Sequence, residues 1–92
     1  MILSFKHKGL ERFYFTGSKK GILPEHSDKI ARILDRLDAS IFPSDMNLPG
    51  YRLHELKGKE IGTWSVTING NWRITFKFEG QNAILVDYLD YH

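Results

Sequence analysis

Cysteine is absent from the chain, which excludes disulfide bridges, zinc–thiolate sites and thiol nucleophiles together. The absence suits a reducing cytoplasm, the location expected here. No apolar run of about 18 residues occurs. The opening Met1-Ile2-Leu3-Ser4-Phe5 meets charge at Lys6, so neither a spanning helix nor a signal peptide is expected. Charge of one sign is scarce too. Lys and Arg number 13 against 11 Asp and Glu, a net +2, and the pI near 9.0 permits an anionic partner without specifying one. The histidines His7, His26, His54 and His92 show no metal-ligand spacing, and no H-E-x-x-H is present. Lys57-Gly58-Lys59-Glu60-Ile61-Gly62 lacks the order of a P-loop, and no nucleophile elbow supports a Ser/His/Asp triad. No metal or cofactor is expected.

What is present fits one domain, residues 1–92, a length that buries roughly 60–65% of its unfolded surface. Ile2 to Phe5 reads as a short opening strand, and Lys8 to Phe15 as a short helix whose aromatics Phe13, Tyr14 and Phe15 need cover. Pro24 suits a first helical turn. Ile30, Ile33, Leu34 and Leu37 then form one apolar stripe on a helix running to about Ala39. The cations Lys19, Lys20, Lys29, Arg32 and Arg36 read as a solvated rim.

The second half changes period. Tyr51 to Leu56 reads as a strand. Trp64, Val66 and Ile68 alternate with Thr63, Ser65 and Thr67, and Trp72, Ile74, Phe76 and Phe78 alternate with Arg73, Thr75 and Lys77. Asn69-Gly70-Asn71 joins these two strands as a turn, and Gly80-Gln81-Asn82 leads into a last one. The expectation is an α+β fold: two N-terminal helices packed on one face of a small, mostly antiparallel, twisted sheet. Pairing Ile68 with Trp72 would set Arg73 opposite Thr67 and Thr75 opposite Ser65. Arg73 then belongs to the polar face, away from the helices.

Three separated segments bring ionisable groups toward that face: His54-x-x-Lys57, Arg73, and Asp90-Tyr91-His92. Cutting an RNA phosphodiester needs a base for the 2′-hydroxyl, cations for the charge building on the phosphate, and an acid for the departing 5′-oxygen. Imidazole serves either proton role near neutral pH, and guanidinium grips phosphate with two parallel donors. Plainer readings exist for each residue: a half-exposed strand histidine, a solvated lysine turn, an arginine paired across strands with a carboxylate.

The segments "MILSFKHKGL", "YRLHELKGKEIGTWSVTINGNWRITFKF" and "DYLDYH" together resemble the HigB toxins of the RelE/ParE superfamily, over nearly the whole chain. The ordered motifs are L-x-x-L-K-G, N-x-x-W-R-I-x-F and a final D-Y-H. The resemblance implies a RelE-like fold and the toxin of a type II toxin–antitoxin system. It also implies a ribosome-dependent endoribonuclease that enters the A site of the small subunit and cuts the mRNA being translated. Its partners would be the ribosome, mRNA and a HigA-like helix-turn-helix antitoxin, with no membrane involved. By the same resemblance His54 would act as general base, and Arg73 and Lys57 would hold the scissile phosphate. Tyr91 would stack on a base. His92 would act as acid, with Asp90 orienting a neighbour or sharing in proton transfer, and the base and acid assignments are interchangeable. The last strand is expected to end near Asp90, freeing Tyr91 and His92, and the chain to stop there because a tail would obstruct an mRNA channel. Two other readings are a ParE-like toxin acting on DNA gyrase without cutting RNA and a non-catalytic RNA-binding module.

Overall fold

The apolar stripe on the second helix is the seed of the core. In the computed structural model, which describes residues 1–91, Ser27–Ala39 form helix α2, with Ile30, Ile33, Leu34 and Leu37 at 0–1% exposure. Each such side chain contributes roughly 1.5–3 kcal/mol by leaving water. The helix expected from Pro24 begins instead with a 3₁₀ turn, Pro24–His26, whose Pro24 carbonyl accepts the Ser27 hydroxyl at 2.8 Å. Helix α1, Lys8–Thr16, is closed at its start by His7, whose Nδ1 accepts the Leu10 N–H at 3.0 Å, and at its end by Gly17 in the left-handed region. Of its aromatics, Phe13 and Tyr14 are half-buried against the core, with the Phe5 ring 5.5 Å from Tyr14, whereas Phe15 stays 68% exposed beside Phe5 at 6.1 Å.

Gly9 and Gly21 explain how α1 meets the loop before α2. A methyl group on Gly21 would lie 2.5 Å from the Gly9 Cα, and one on Gly9 would lie 2.7 Å from the Gly21 Cα. Backbone meets backbone there, and no flexible side chain can yield. Gly21→Ala is therefore expected to destabilise the fold by about 1–3 kcal/mol, read as a lowered thermal midpoint. An unchanged midpoint would show that the two segments part freely.

Four antiparallel strands follow in the order β1 (His54–Glu55), β2 (Trp64–Asn69), β3 (Trp72–Glu79) and β4 (Asn82–Asp90). Val66, Ile74, Phe76, Ala83 and Val86 are fully buried on the face toward the helices, completing the core with Leu10, Leu37 and Met46. The α+β expectation holds. The details of three strands differ from it.

The expected strand Tyr51–Leu56 shrinks to two residues because Arg52 takes a positive φ of 51°. The kink turns the chain, although Tyr51 O still accepts the N–H of Thr67 in β2, and Leu56 N–H donates to Thr63 O just before that strand, at 2.8 Å each. In the hairpin, Trp72 pairs with Asn69 and not with Ile68. A bulge at Ile68 absorbs the difference, so Thr67 still faces Arg73 and Ser65 still faces Thr75. The opening strand is reduced to two isolated parallel bridges, Ile2 to Ala83 and Phe5 to Val86. Leu85 lies between these partners with φ 54°, at a register shift in β4. Such a residue cannot continue a regular ladder, and its N–H is taken by the Ser4 hydroxyl at 2.9 Å. The opening segment thereby covers the outer edge of β4.

Beyond α2, Asp45 holds the loop: its Oδ2 accepts the N–H groups of Ile41 and Phe42 at 2.9 and 3.0 Å, which keeps its carboxyl below the usual range. At the helix-facing end of β4, Tyr88 accepts the Leu23 N–H at 3.3 Å and shares a 2.8 Å hydrogen bond with His26 Nδ1. Burial pushes the Tyr88 phenol up, against the opposing pull of that N–H. His26 is a core histidine, 4% exposed.

Candidate active site

Strand register builds two rows across the face that points away from the helices. His54, Ser65, Thr75 and Asp87 are successive neighbours in one row, and Thr67, Arg73 and Leu89 in the next. Tyr91 continues the parity of Asp87 and Leu89. Its N–H donates to Asn71 O at 2.7 Å, which holds the backbone just past the end of β4. The result is a cleft of about 370 Å³ lined by His54, Leu56, Lys57, Ser65, Arg73 and Tyr91. A second hollow of similar size continues from it along Arg52, Leu53, His54 and Arg73.

Four of the six residues expected at the site thus share one cleft. His54 and Lys57 are exposed, Arg73 is half-buried, and Tyr91 is 42% exposed with its ring available to a ligand. Lys57 is placed by the turn that starts after it, where Gly58 takes φ 71° at the head of the 3₁₀ segment Gly58–Glu60. Asp90 is placed elsewhere. It pairs with Trp72 and faces a cleft on the helix side that it lines with His7, Lys20 and Tyr88. His92 lies outside the described residues. As expected, β4 ends at Asp90.

The electrostatics of the cleft follow from its composition. Arg52, Lys57 and Arg73 line the two hollows, and among the described residues no carboxylate does. Among the described residues Arg73 makes no ion pair and no side-chain hydrogen bond, so the cross-strand carboxylate partner of the plainer reading is not found. A half-buried guanidinium with no partner among the described residues, in a cationic hollow, is suited to an anion. Among the described residues, no three His, Cys, Asp or Glu side chains gather closely enough to share a metal ion.

Sequence reasoning missed two of these residues. Arg52 joins the site through its positive φ, for which an arginine gives no local signal. Ser65 was read as part of a wet face, yet it is 1% exposed, and among the described residues its Oγ has no hydrogen-bond partner. The signal lay in the register, since Ser65 sits directly opposite His54. A buried hydroxyl without a partner costs about 1–3 kcal/mol of desolvation. Ser65→Ala is therefore expected to leave thermal stability unchanged or raise it slightly. A clear loss of stability would reveal a protein partner for the hydroxyl.

Comparison with known proteins agrees with the fold. A family model described as the RelE-like toxin of type II toxin–antitoxin system HigB matches residues 3–92. The chain is 41% identical over 92 residues to Endoribonuclease HigB of Proteus vulgaris, covering all of both chains. It is 34% identical over 94 residues to Toxin HigB-1 of Vibrio cholerae serotype O1, covering all of this chain and 98% of that one. Two helices on a small antiparallel sheet, with a match along nearly the whole length, place this chain in the HigB-like toxins, a RelE-like family of type II toxin–antitoxin systems.

Proposed function

We propose that this chain is an endoribonuclease that cuts translated mRNA on the ribosome, acting without a metal ion. The observation that carries the reading is the half-buried Arg73 guanidinium, unpaired among the described residues, sharing one cleft with the His54 imidazole and the Tyr91 ring. The name of the Proteus vulgaris relative supports the same reading. In this scheme His54 takes the proton from a 2′-hydroxyl, and the freed oxygen attacks the adjacent phosphorus. The bond to the 5′-oxygen breaks as that oxygen receives a proton from His92. The products are a 2′,3′-cyclic phosphate and a 5′-hydroxyl. Arg73 and Lys57 hold the non-bridging oxygens while charge builds on them, the role fixed donors perform best in a water-poor site. Tyr91 stacks on a base, worth roughly 1–3 kcal/mol in single-strand binders. Asp90, paired with Trp72, anchors the strand end that carries Tyr91 and His92.

Exchange of roles between His54 and His92 leaves the products unchanged. A HigA-like helix-turn-helix antitoxin is the proposed partner that silences the protein, and the cytoplasm, where mRNA is translated, is its proposed place of action. The test is a translation reaction in which mRNA 5′ ends are mapped with and without the protein. New ends inside the translated frame, bearing 5′-hydroxyls, are expected. An unaltered set of ends would overturn the reading.

A further inference from the structure

The cleft does not stop at Tyr91. On the far side of Tyr91 and Leu56, which line both, lies a recess of about 330 Å³. Its character differs from that of the cleft. Leu56, Leu85 and Leu89 supply apolar wall, while Thr63, Thr75 and Asp87 supply polar groups. Lys6 and Lys77 at this recess are balanced by Glu60 and Asp87. A groove built only to clamp the phosphates of RNA has no use for carboxylates, which repel them. Apolar walls, an aromatic side and a few convergent polar groups are what a flat heterocycle requires.

The polar groups are also unspent. Thr63 and Thr75 are 8% and 5% exposed, and among the described residues neither hydroxyl has a hydrogen-bond partner. Asp87 uses Oδ1 to accept the Tyr88 N–H at 2.9 Å, and its Oδ2 has no partner among the described residues. A carboxylate oxygen can only accept, so it favours a base that presents an exocyclic amino group.

We propose that this recess is a nucleobase subsite for a nucleotide flanking the scissile phosphate, and that Asp87 selects there for a base bearing an exocyclic amino group over uracil. The proposal rests on the nuclease reading for its place in the reaction. Tyr91 is the shared wall: the cleft takes the phosphate, the recess takes the neighbouring base. The Asp87→Asn variant keeps an oxygen for the Tyr88 N–H but loses the charge and gains a donor.

Two measurements test it. Mapped cleavage ends from a library of codons are compared for wild type and Asp87→Asn, each with its melting curve. Methyl NMR of the wild-type protein is recorded with AMP, CMP, GMP and UMP. At one position flanking the cut, wild type is expected to disfavour uracil by roughly tenfold, and Asp87→Asn to erase most of that preference. AMP, CMP and GMP are expected to shift the Thr75 and Leu89 methyl signals more than UMP does. If wild type cuts no mRNA while the nucleotides still shift those methyls, the nuclease reading fails and the subsite stands. If wild type cuts, Asp87→Asn keeps the same base spectrum, and the methyls stay silent, the subsite is overturned and the nuclease reading stands.

Discussion

Arg73→Ala is expected to lower single-turnover cleavage of mRNA by about 10²–10³-fold, the loss typical when one fixed donor to a developing oxyanion is removed. The guanidinium lies on the outer face of β3, half-buried and unpaired among the described residues. Its removal takes away no ion pair or side-chain hydrogen bond among the described residues. Thermal stability should move by no more than about 0.5 kcal/mol. Arg73→Lys should recover only part of the rate, because an ammonium keeps the charge but loses the two parallel donors that fit a phosphate. Association with the ribosome should survive the substitution. A docking module would behave in the opposite way: Arg73→Ala would weaken binding in a salt-dependent manner, with no cleavage to lose. Cleavage by Arg73→Ala within about threefold of wild type would remove this residue from the transition state.

The second large effect concerns the substrate's surroundings. The same purified protein is expected to cut a given mRNA at least about 10³-fold more slowly free in solution than on the ribosome. The cleft explains why. Its walls are one residue of a two-residue strand, the short Leu56–Lys57 connection after it, single side chains of β2 and β3 and one aromatic ring. These can hold a phosphate but do little to bend a flexible strand until the 2′-oxygen lies in line behind phosphorus. Orienting reactants in that way is worth several kcal/mol when something else holds them. The decoding site, which grips three nucleotides at a time, is suited to supply it. Comparable rates on naked and ribosome-bound RNA, measured with the same message, would show that the protein positions its own substrate.

How much was legible in the sequence differs from element to element. The α2 stripe was readable because Ile30, Ile33, Leu34 and Leu37 repeat at helical spacing and nothing competes with them. The side of the sheet on which Arg73 sits was readable as well. Strand alternation fixes parity, and the bulge at Ile68 changed the partner of Trp72 while leaving Arg73 opposite Thr67. The breaks in pairing were not readable. Arg52 and Leu85 adopt positive φ with side chains that give no sign of it, and these residues shorten the first strand and reduce the opening one to two bridges. Burial on the outer face was hidden for a related reason. Ser65, Thr63 and Thr75 look like solvent-facing residues until Leu56 and Tyr91 are brought over the sheet by contacts distant in the chain. That the ionisable residues would meet at all was implied by the resemblance to HigB toxins, since no spacing along a chain fixes a distance between Lys57 and Tyr91.

The account stands on His54 and Arg73 acting on a single phosphate, and a double-mutant cycle on single-turnover cleavage tests that most directly. Residues serving one transition state lose most of the rate together, so the His54→Ala/Arg73→Ala double variant is predicted to cut no more than about tenfold slower than the slower single variant. Losses that multiply in full, as for two independent sites, would contradict it.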